Sequence, residues 1–188
     1  MPTSALTPVD LPAAPPGSAA FRHVLGHVPT SVCVVTARTP EGPVGVTVGS
    51  FTSVSLDPPL VAFYAGRTSA SAQAIVGTGH FCVNVLAEDQ QEVCAAFARR
   101  TADRFATGDW DLTGHAAPRL NGAAAWIACD IENSHSAGDH VAVMGRVRDL
   151  AAADGPRRPL LFHDGQLVRL DRARGMHAPR SSFGWWER

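Results

Sequence analysis

Residues that suit phosphate binding come together in the segment RTSAS, from Arg67 to Ser71. The segment offers one guanidinium and three hydroxyl groups, and Ser69 is predicted to cap a helix that extends to Val76. Backbone N–H groups at a helix start favour an anion, and arginine adds a charged fork that matches phosphate. The segment therefore predicts a phosphate site. An ordinary serine cap beside a solvated arginine is the alternative, and the preceding strands favour the phosphate.

Those preceding strands are short and rich in small residues. The run PVGVTVGSFTSVSLDPP, from Pro43 to Pro59, mixes Val, Thr and Phe with Gly and Ser around the Gly49-Ser50 step. Small residues in a strand mark a place where a ligand or another backbone comes close. The run is typical of strands that hold a flat ligand against bare backbone, and a barrel corner is the alternative.

Two of the eight histidines, His135 and His140, enclose the turn HSAGDH. On paired strands they are expected to face each other across the mouth of a hairpin, where imidazole packs on a flat heterocycle or donates to it. Two exposed turn histidines are the alternative. No carboxylate–histidine cluster predicts a metal site, and no GxSxG motif predicts a nucleophile.

Composition excludes several classes of protein. All 16 basic residues are arginines, so a Walker-type phosphate loop and Schiff-base lysine chemistry are absent. A net charge of -1 provides no field that attracts nucleic acid or an anionic membrane. The four cysteines lack CxxC spacing and are expected to be buried, reduced thiols. Without an apolar run at the N-terminus that suits a signal peptide or a membrane span, a cytoplasmic protein is expected.

The 188 residues fit one domain, expected over residues 19–170, with a proline-rich arm over 1–18 and a tail over 171–188. Short strands are predicted at Val32–Ala37, Val44–Val48, Phe51–Leu56, Leu60–Tyr64, Phe81–Leu86, Ala123–Asn133, His140–Leu150, Leu160–Phe162 and Gln166–Leu170. Further helices are predicted at Phe21–His27, capped by Ser18, and at Asp89–Arg99, with an irregular span over Thr101–Asn121. Many short strands with few helices predict a mostly antiparallel barrel with peripheral helices. The Gly77-Thr78-Gly79 step lacks the third glycine of a dinucleotide fingerprint, so a Rossmann domain is not expected.

Five blocks of sequence resemble, in order, the short-chain NAD(P)H:flavin oxidoreductases of the FMN-binding split-barrel superfamily. These proteins are the reductase components of two-component flavin monooxygenases. The blocks are GVTVGSFTSVSLDPPLVAFYAGRTSAS, HFCVNVL, DRFATGDW, HSAGDHVAVMGRV and PLLFHDGQLVRL, and the resemblance runs from about Phe21 to Leu170. It implies an antiparallel Greek-key split barrel with peripheral helices, which binds flavin and nicotinamide nucleotides as a homodimer.

The resemblance also implies a set of site residues. In relatives the segment equivalent to Gly45–Ser53 lies along the isoalloxazine ring, and the Ala65–Ser71 loop takes the ribityl phosphate. Phe97 and the Arg104-Phe105 pair match positions near the flavin, whereas Gly138-Asp139-His140, Phe162 and His163 match the nicotinamide side. With His140 as the catalytic candidate, the expected cofactor-binding residues are Gly45, Val46, Thr47, Val48, Gly49, Ser50, Ser53, Ala65, Gly66, Arg67, Ser69, Ser71, Phe97, Phe105, His135 and His163.

The function expected from the residues and the resemblance is reduction of FMN or FAD by NADH or NADPH, which supplies reduced flavin to a partner oxygenase. Backbone N–H groups from Thr47 to Ser50 are expected to stabilise negative charge near flavin N1 and O2, and His140 to position the nicotinamide. One alternative is a flavoprotein that keeps FMN tightly bound and acts on its own organic substrate. Another is a non-catalytic flavin-binding module.

Two departures from the family pattern stand out. Val168 occupies a position in the last block that usually carries an aromatic residue. The tail from Asp171 to Arg188 carries Phe183, Trp185 and Trp186, and rings of this size are costly to leave in water. The tail is expected to dock near the flavin entrance, and a frayed chain end is the alternative.

Overall fold

The computed structural model describes residues 16–99, 103–113 and 117–170. The tail prediction and most of the N-terminal arm therefore lie outside the described residues. The elements are α1 Ser18–Gly26, β1 Thr30–Ser31, β2 Cys33–Thr39, β3 Gly42–Val48, β4 Thr52–Leu56, β5 Pro59–Gly66, α2 Ala70–Thr78, β6 His80–Val85, α3 Gln91–Ala98, β7 Trp110–Asp111, β8 Arg119–Leu120, β9 Ala125–Ala137, β10 His140–Ala152, β11 Leu161–His163 and β12 Gln166–Val168.

Seven antiparallel strands form the main sheet, in the order β3-β2-β6-β9-β10-β5-β4. The expected mostly antiparallel fold with peripheral helices is confirmed, and the barrel is not closed. Just before the start of β4 at Thr52, the Ser50 side chain forms the hydrogen bonds to β5. Its Oγ donates to the Tyr64 carbonyl at 2.7 Å and accepts the Tyr64 N–H at 3.0 Å. One hydroxyl therefore joins the chain leaving β3 to the β5 edge.

Two apolar clusters hold the sheet in place. The first packs on one face of the sheet and includes Phe63, Phe81 and Val143. The second packs on the opposite face, where Val34 lies in one cluster with Leu120 and apolar residues of α3. Phe63 and Phe81 meet edge to face, with ring centroids 5.2 Å apart, as aromatic pairs prefer.

A buried polar network fixes the segment that contains β8. Asn84 Oδ1 accepts the Leu120 N–H at 2.8 Å, and Asn84 Nδ2 donates to the Val34 carbonyl at 3.2 Å. The Thr36 hydroxyl donates to the Pro118 carbonyl at 2.6 Å. Because buried polar groups are costly unless they are paired, these bonds hold residues 117–120 against β2 and β6.

The structure corrects several sequence-based boundaries. Ser18 does not cap α1, because Gly17 occupies the N-cap position and no side chain caps the helix. Ser69 does cap α2, as predicted. The span expected to be irregular contains the short strands β7 and β8, and the long hairpin extends to Ala137 and Ala152. None of the helices that the structure describes is long and apolar enough to cross a membrane.

All four cysteines are free and buried, as expected. Burial raises the pKa of Cys33, Cys82 and Cys129 to about 12 in each case, and burial also raises the pKa of Cys94. Because a protonated thiol is a poor nucleophile, these side chains belong to the core and not to a reactive centre.

Candidate functional site

A cleft of about 640 Å³ opens beside the edge strand β3. One wall is the start of α2, and the other is the end of α3 with Arg99 and Arg104. The lining residues are Val46, Gly66, Thr68, Ser69, Ala70, Ser71, Phe97, Ala98, Arg99 and Arg104. These described residues supply three hydroxyl groups and two guanidiniums, and none of them is a carboxylate.

The start of α2 is a preformed loop. Ser69 Oγ accepts the Ala72 N–H at 3.3 Å, and the Ser69 N–H donates to the Gly66 carbonyl at 2.9 Å. Gln73 Nε2 donates to the Arg67 carbonyl at 2.9 Å, which holds the loop against the helix. The N–H groups of the first turn, whose partial positive charge favours anions, therefore border the cleft.

Arg104 connects the two sides of the cleft. Its Nη1 donates to the Gly45 carbonyl of β3 at 2.9 Å and to Ser71 Oγ of α2 at 3.1 Å. Both acceptors are neutral, so these contacts leave the positive charge of the guanidinium uncompensated. Because the side chain is half-buried, that charge acts at close range on whatever the cleft binds.

Aromatic rings support the α3 wall. The ring centroids of Phe97, Phe105 and Trp110 lie 4.9 to 5.2 Å from one another, and Trp110 Nε1 donates to the Thr107 carbonyl at 2.9 Å. Phe97 is buried and also lines the cleft. Gly45 lies directly against this ring, because an added Cβ would come 2.6 Å from Phe97 Cε1. The glycine thus lets β3 approach the aromatic wall.

The free edge of β3 borders the same region. Successive residues of an antiparallel strand point their N–H and C=O groups to opposite sides. In an edge strand, the groups that point away from the sheet have no partner strand. The Gly45 carbonyl accepts from Arg104 and so faces away from β2. The N–H groups of Gly45 and Thr47 share this direction, whereas the Thr47 hydroxyl donates to the Cys94 carbonyl at 3.1 Å.

The loop before α2 is tied to the turn of the long hairpin. His140 pairs with Gly66 in the β5–β10 register, and the Arg67 N–H donates to the Asp139 carbonyl at 2.9 Å. His140 Nδ1 lies 2.6 Å from Asp139 Oδ1. The hydrogen bond from His140 lowers the pKa of Asp139, and the positive charge of Arg67 adds to this effect. Arg67 therefore acts on the hairpin turn, and it is not among the residues that line the cleft.

The two hairpin histidines do not face each other, contrary to the expectation from the sequence. His135 pairs with Ala142, and His140 pairs with Ala137. Because side chains alternate along strands, the two imidazoles lie on one face but two positions apart. His135 is exposed at that offset.

His163 lies in the small sheet β1-β11-β12 and pairs with Gln166. Neither His163 nor its neighbour Phe162 lines the cleft. Gly49 is close to this sheet, because an added Cβ there would come 2.9 Å from Thr30 Oγ1. The approach of β1 therefore explains why this position is a glycine, without a ligand.

The structure therefore divides the predicted site residues. Five of them line the cleft: Val46, Gly66, Ser69, Ser71 and Phe97. Gly45 and Phe105 support it from behind, Val48 and Ala65 are buried in the core, and Ser53 is exposed on β4. The sequence analysis did not single out Ala98 and Arg99. Their only signal was their place at the end of the helix predicted over Asp89–Arg99.

One histidine pair escaped the sequence reasoning. His23 and His27 have the HxxxH spacing on α1, and their ring centroids lie 5.3 Å apart. Two imidazoles at this spacing suit a metal only when further ligands complete the set. Among the described residues no group of three or more potential metal ligands occurs.

The fold and the cleft define a class of protein: an open, mostly antiparallel β fold with a cleft between a helix start and an edge strand. Residues 25–171 match the family model of the flavin reductase like domain, so the chain belongs to that family. The resemblance found in the sequence is confirmed.

Curated relatives agree with this assignment. The chain is 47% identical over 146 residues to a flavin reductase of Pseudomonas putida, covering 77% of this chain and 85% of that protein. It is 43% identical over 159 residues to HsaB of Rhodococcus jostii strain RHA1, the reductase subunit of a flavin-dependent monooxygenase, with 85% and 81% of the two chains covered.

Solved structures share the fold. The nitrilotriacetate monooxygenase component B homologue of Mycobacterium thermoresistibile matches with a TM-score of 0.80 at 39% identity, covering 85% of this chain and 90% of that one. The NADH:FAD oxidoreductase SgcE6 of Streptomyces globisporus, in complex with NAD and FAD fragments, matches with a TM-score of 0.77 at 35% identity. The coverage is 82% of this chain and 93% of that one.

The donor set of the cleft fits the phosphate end of a flavin nucleotide. The hydroxyls of Thr68, Ser69 and Ser71, the N–H groups that start α2 and the Arg104 guanidinium all suit a phosphate. No carboxylate opposes it among the lining residues that the structure describes. A Cβ at Gly66 would meet nothing within 4 Å, so the entrance beside this glycine is open.

Proposed function

We propose that this protein is an NAD(P)H:flavin oxidoreductase that reduces FMN or FAD and releases the reduced flavin to a separate oxygenase. The observation that carries the proposal is the Arg104 side chain, which bonds at once to the Gly45 carbonyl and to Ser71 Oγ. A single residue thereby sets the distance between a helix start suited to phosphate and an edge strand suited to a flat ring. Family membership and the reductase names of the relatives support the same activity.

The flavin, when bound, supplies the redox chemistry by accepting a hydride from the reduced nicotinamide nucleotide. The task of the protein is therefore to bind and orient. The start of α2 and Arg104 hold the phosphate, and the outward N–H groups of Gly45 and Thr47 are placed to stabilise negative charge along the ring edge. No general base is required of the chain.

His140 is proposed to position the nicotinamide. Asp139 Oδ1 occupies its Nδ1, which leaves Nε2 as the nitrogen available to a ligand. The Arg67-to-Asp139 bond and the Gly66 pairing hold this turn beside the phosphate loop. His140 is therefore near the cleft but outside its lining, as a residue that contacts a second ligand is expected to be.

A homodimer is part of the proposal. Phe21, Val24, Leu25 and Val28 on and just after α1 are between 47% and 61% exposed, and α1 has no buried residue. Exposed apolar groups that lie together mark an interface, and a second subunit is the expected cover. Light scattering that gives the single-chain mass of 19.8 kDa at micromolar concentration contradicts the dimer.

The activity is tested by following nicotinamide absorbance with NADH or NADPH after addition of riboflavin, FMN or FAD. We expect oxidation that depends on added flavin and turns over many times per protein chain. Activity without added flavin, from a yellow protein that keeps its colour through gel filtration, indicates the tightly bound alternative. A chain that binds flavin but oxidises neither nucleotide is a binding module, and this result contradicts the proposal.

A further inference from the structure

We propose that Arg99 selects flavins with two phosphates, so that the protein prefers FAD to FMN. The inference rests on the proposed flavin reduction and extends it to the identity of the flavin. It starts from the charge of the cleft. Among the described lining residues there are two guanidiniums, those of Arg99 and Arg104, and no carboxylate.

The two arginines have different surroundings. Arg104 is half-buried and its Nη1 is already bonded to β3 and α2. Its charge therefore belongs to the inner end of the cleft, beside Ser71 and the first turn of α2. A phosphate placed there accepts hydrogen bonds from the N–H groups of the helix start, from hydroxyls and from one guanidinium. Together these donors satisfy a single phosphate group.

Arg99 lies at the end of α3 and is exposed. Its backbone N–H donates to the Ala95 carbonyl at 3.2 Å, and among the described residues no side-chain hydrogen bond or ion pair engages its guanidinium. A cation at a helix C-terminus is favoured by the helix dipole, which is a sufficient reason for an arginine there. The dipole does not explain why this arginine, with Phe97 and Ala98, lines the wall opposite the start of α2.

The chemistry of the two flavins separates the roles of the arginines. FMN carries its negative charge on one terminal phosphate, whereas FAD carries one charge on each of two linked phosphates. The inner site accepts one phosphate from either flavin. The second phosphate of FAD continues toward the opening of the cleft, where Arg99 offers an unengaged charged fork. FMN has no group that reaches that position.

The test compares Arg99→Gln with wild type and with Arg22→Gln, which removes the same charge from an exposed position on α1 outside the cleft. Dissociation constants for riboflavin, FMN and FAD are measured from quenching of flavin fluorescence, and KM values are measured with NADH and with NADPH. We expect wild type to bind FAD more tightly than FMN. Arg99→Gln should weaken FAD binding by about three- to ten-fold, the range for an exposed charged contact, and change FMN and riboflavin less than two-fold.

Four results overturn the proposal for Arg99. Equal weakening of FMN and FAD makes Arg99 a general phosphate contact, and a change confined to the KM for NADPH assigns it to a nicotinamide nucleotide phosphate. Unchanged binding throughout leaves it a helix-end cation. Loss of FAD selectivity in Arg22→Gln as well shows a long-range charge effect. A wild-type protein that binds flavins but shows no activity refutes the reductase function, while the binding data still decide the role of Arg99.

Discussion

Gly45 and Phe97 are in such close contact that position 45 has no room for a side chain. A Cβ there would lie 2.6 Å from Phe97 Cε1, 2.9 Å from Phe97 Cδ1 and 3.3 Å from Thr36 Cγ2. The same glycine offers its carbonyl to Arg104. The position of β3 beside the cleft therefore depends on a hydrogen atom in place of a methyl group.

Gly45→Ala is expected to destabilise the protein by about 1–3 kcal/mol, the usual range for overpacking, because Phe97 is held by its own ring contacts. Flavin affinity should fall as β3 shifts. Urea unfolding and flavin titration measure the two effects. Gly77→Ala is the matched control, since a Cβ there meets nothing within 4 Å inside α2. A Gly45→Ala protein as stable as wild type would show that the ring moves freely.

Ser50→Ala removes the hydroxyl that bonds both main-chain groups of Tyr64. We expect a loss of about 0.5–1.5 kcal/mol in the free energy of unfolding, since the site is exposed and water replaces part of the bonding. Exchange of the Tyr64 amide hydrogen should also accelerate. Ser53→Ala, on the exposed face of β4, is the control and should change neither quantity. Equal amide exchange in both variants contradicts the role of Ser50 at this edge.

His140→Ala should slow hydride transfer by about ten-fold or more, the size expected when two reactants are misplaced, and leave flavin affinity within a few-fold. Stopped-flow spectroscopy of the flavin band separates the two quantities. His135→Ala, two positions away on the same face, provides the control and should leave the rate unchanged. An equal loss of flavin binding in His140→Ala would place the residue in the flavin site, and an unchanged rate would leave it a turn histidine.

The buried thiols predict a loss of stability in alkali. Burial raises the pKa of Cys33, Cys82 and Cys129 from 9.0 to about 12, so between these values the unfolded chain releases protons that the folded protein retains. The contribution of each thiol to the free energy of unfolding is therefore fully present below pH 9. It is lost as the pH rises toward 12, at about 1.4 kcal/mol per pH unit for each thiol. Urea unfolding at pH 8.0 and at about pH 10.5 tests this. Cys129→Ala should show a smaller decrease than wild type, and an identical decrease would assign the effect to other groups.

Local signals in the sequence were sufficient where the structure depends on local chemistry. The Ser69 cap and the hairpin turn at Gly138 follow from neighbouring residues, and the pattern of short strands predicts the sheet. The contacts that complete the cleft have a different origin. Arg104 and Gly45 are 59 residues apart, and Asn84 and Leu120 are 36 apart. No spacing rule connects such pairs, because tertiary packing alone brings them together.

The histidine register shows a second limit of the sequence. The turn predicted the hairpin correctly, but the pairing of His140 with Ala137 depends on where the turn closes, and a shift of two positions separates the imidazoles. Arg99 could not be identified from the sequence for a similar reason, since its position in the cleft lining depends on the direction of α3 relative to α2. The resemblance to the family compensated for part of this gap by marking Phe97 and Arg104, which both line the cleft.

The Arg104 contact has a consequence for product release. In the proposed reaction, Arg104 and the start of α2 hold the phosphate end of the flavin, which is chemically the same before and after the ring is reduced. This end of the site therefore holds substrate and product equally and cannot by itself favour departure of the product. In the proposed reaction, any preference for the oxidised over the reduced flavin must arise at the ring, where the outward main-chain groups of Gly45 and Thr47 meet the part of the molecule whose charge changes. Under this proposal the strand edge, and not the phosphate site, sets how readily the reduced flavin leaves for an oxygenase.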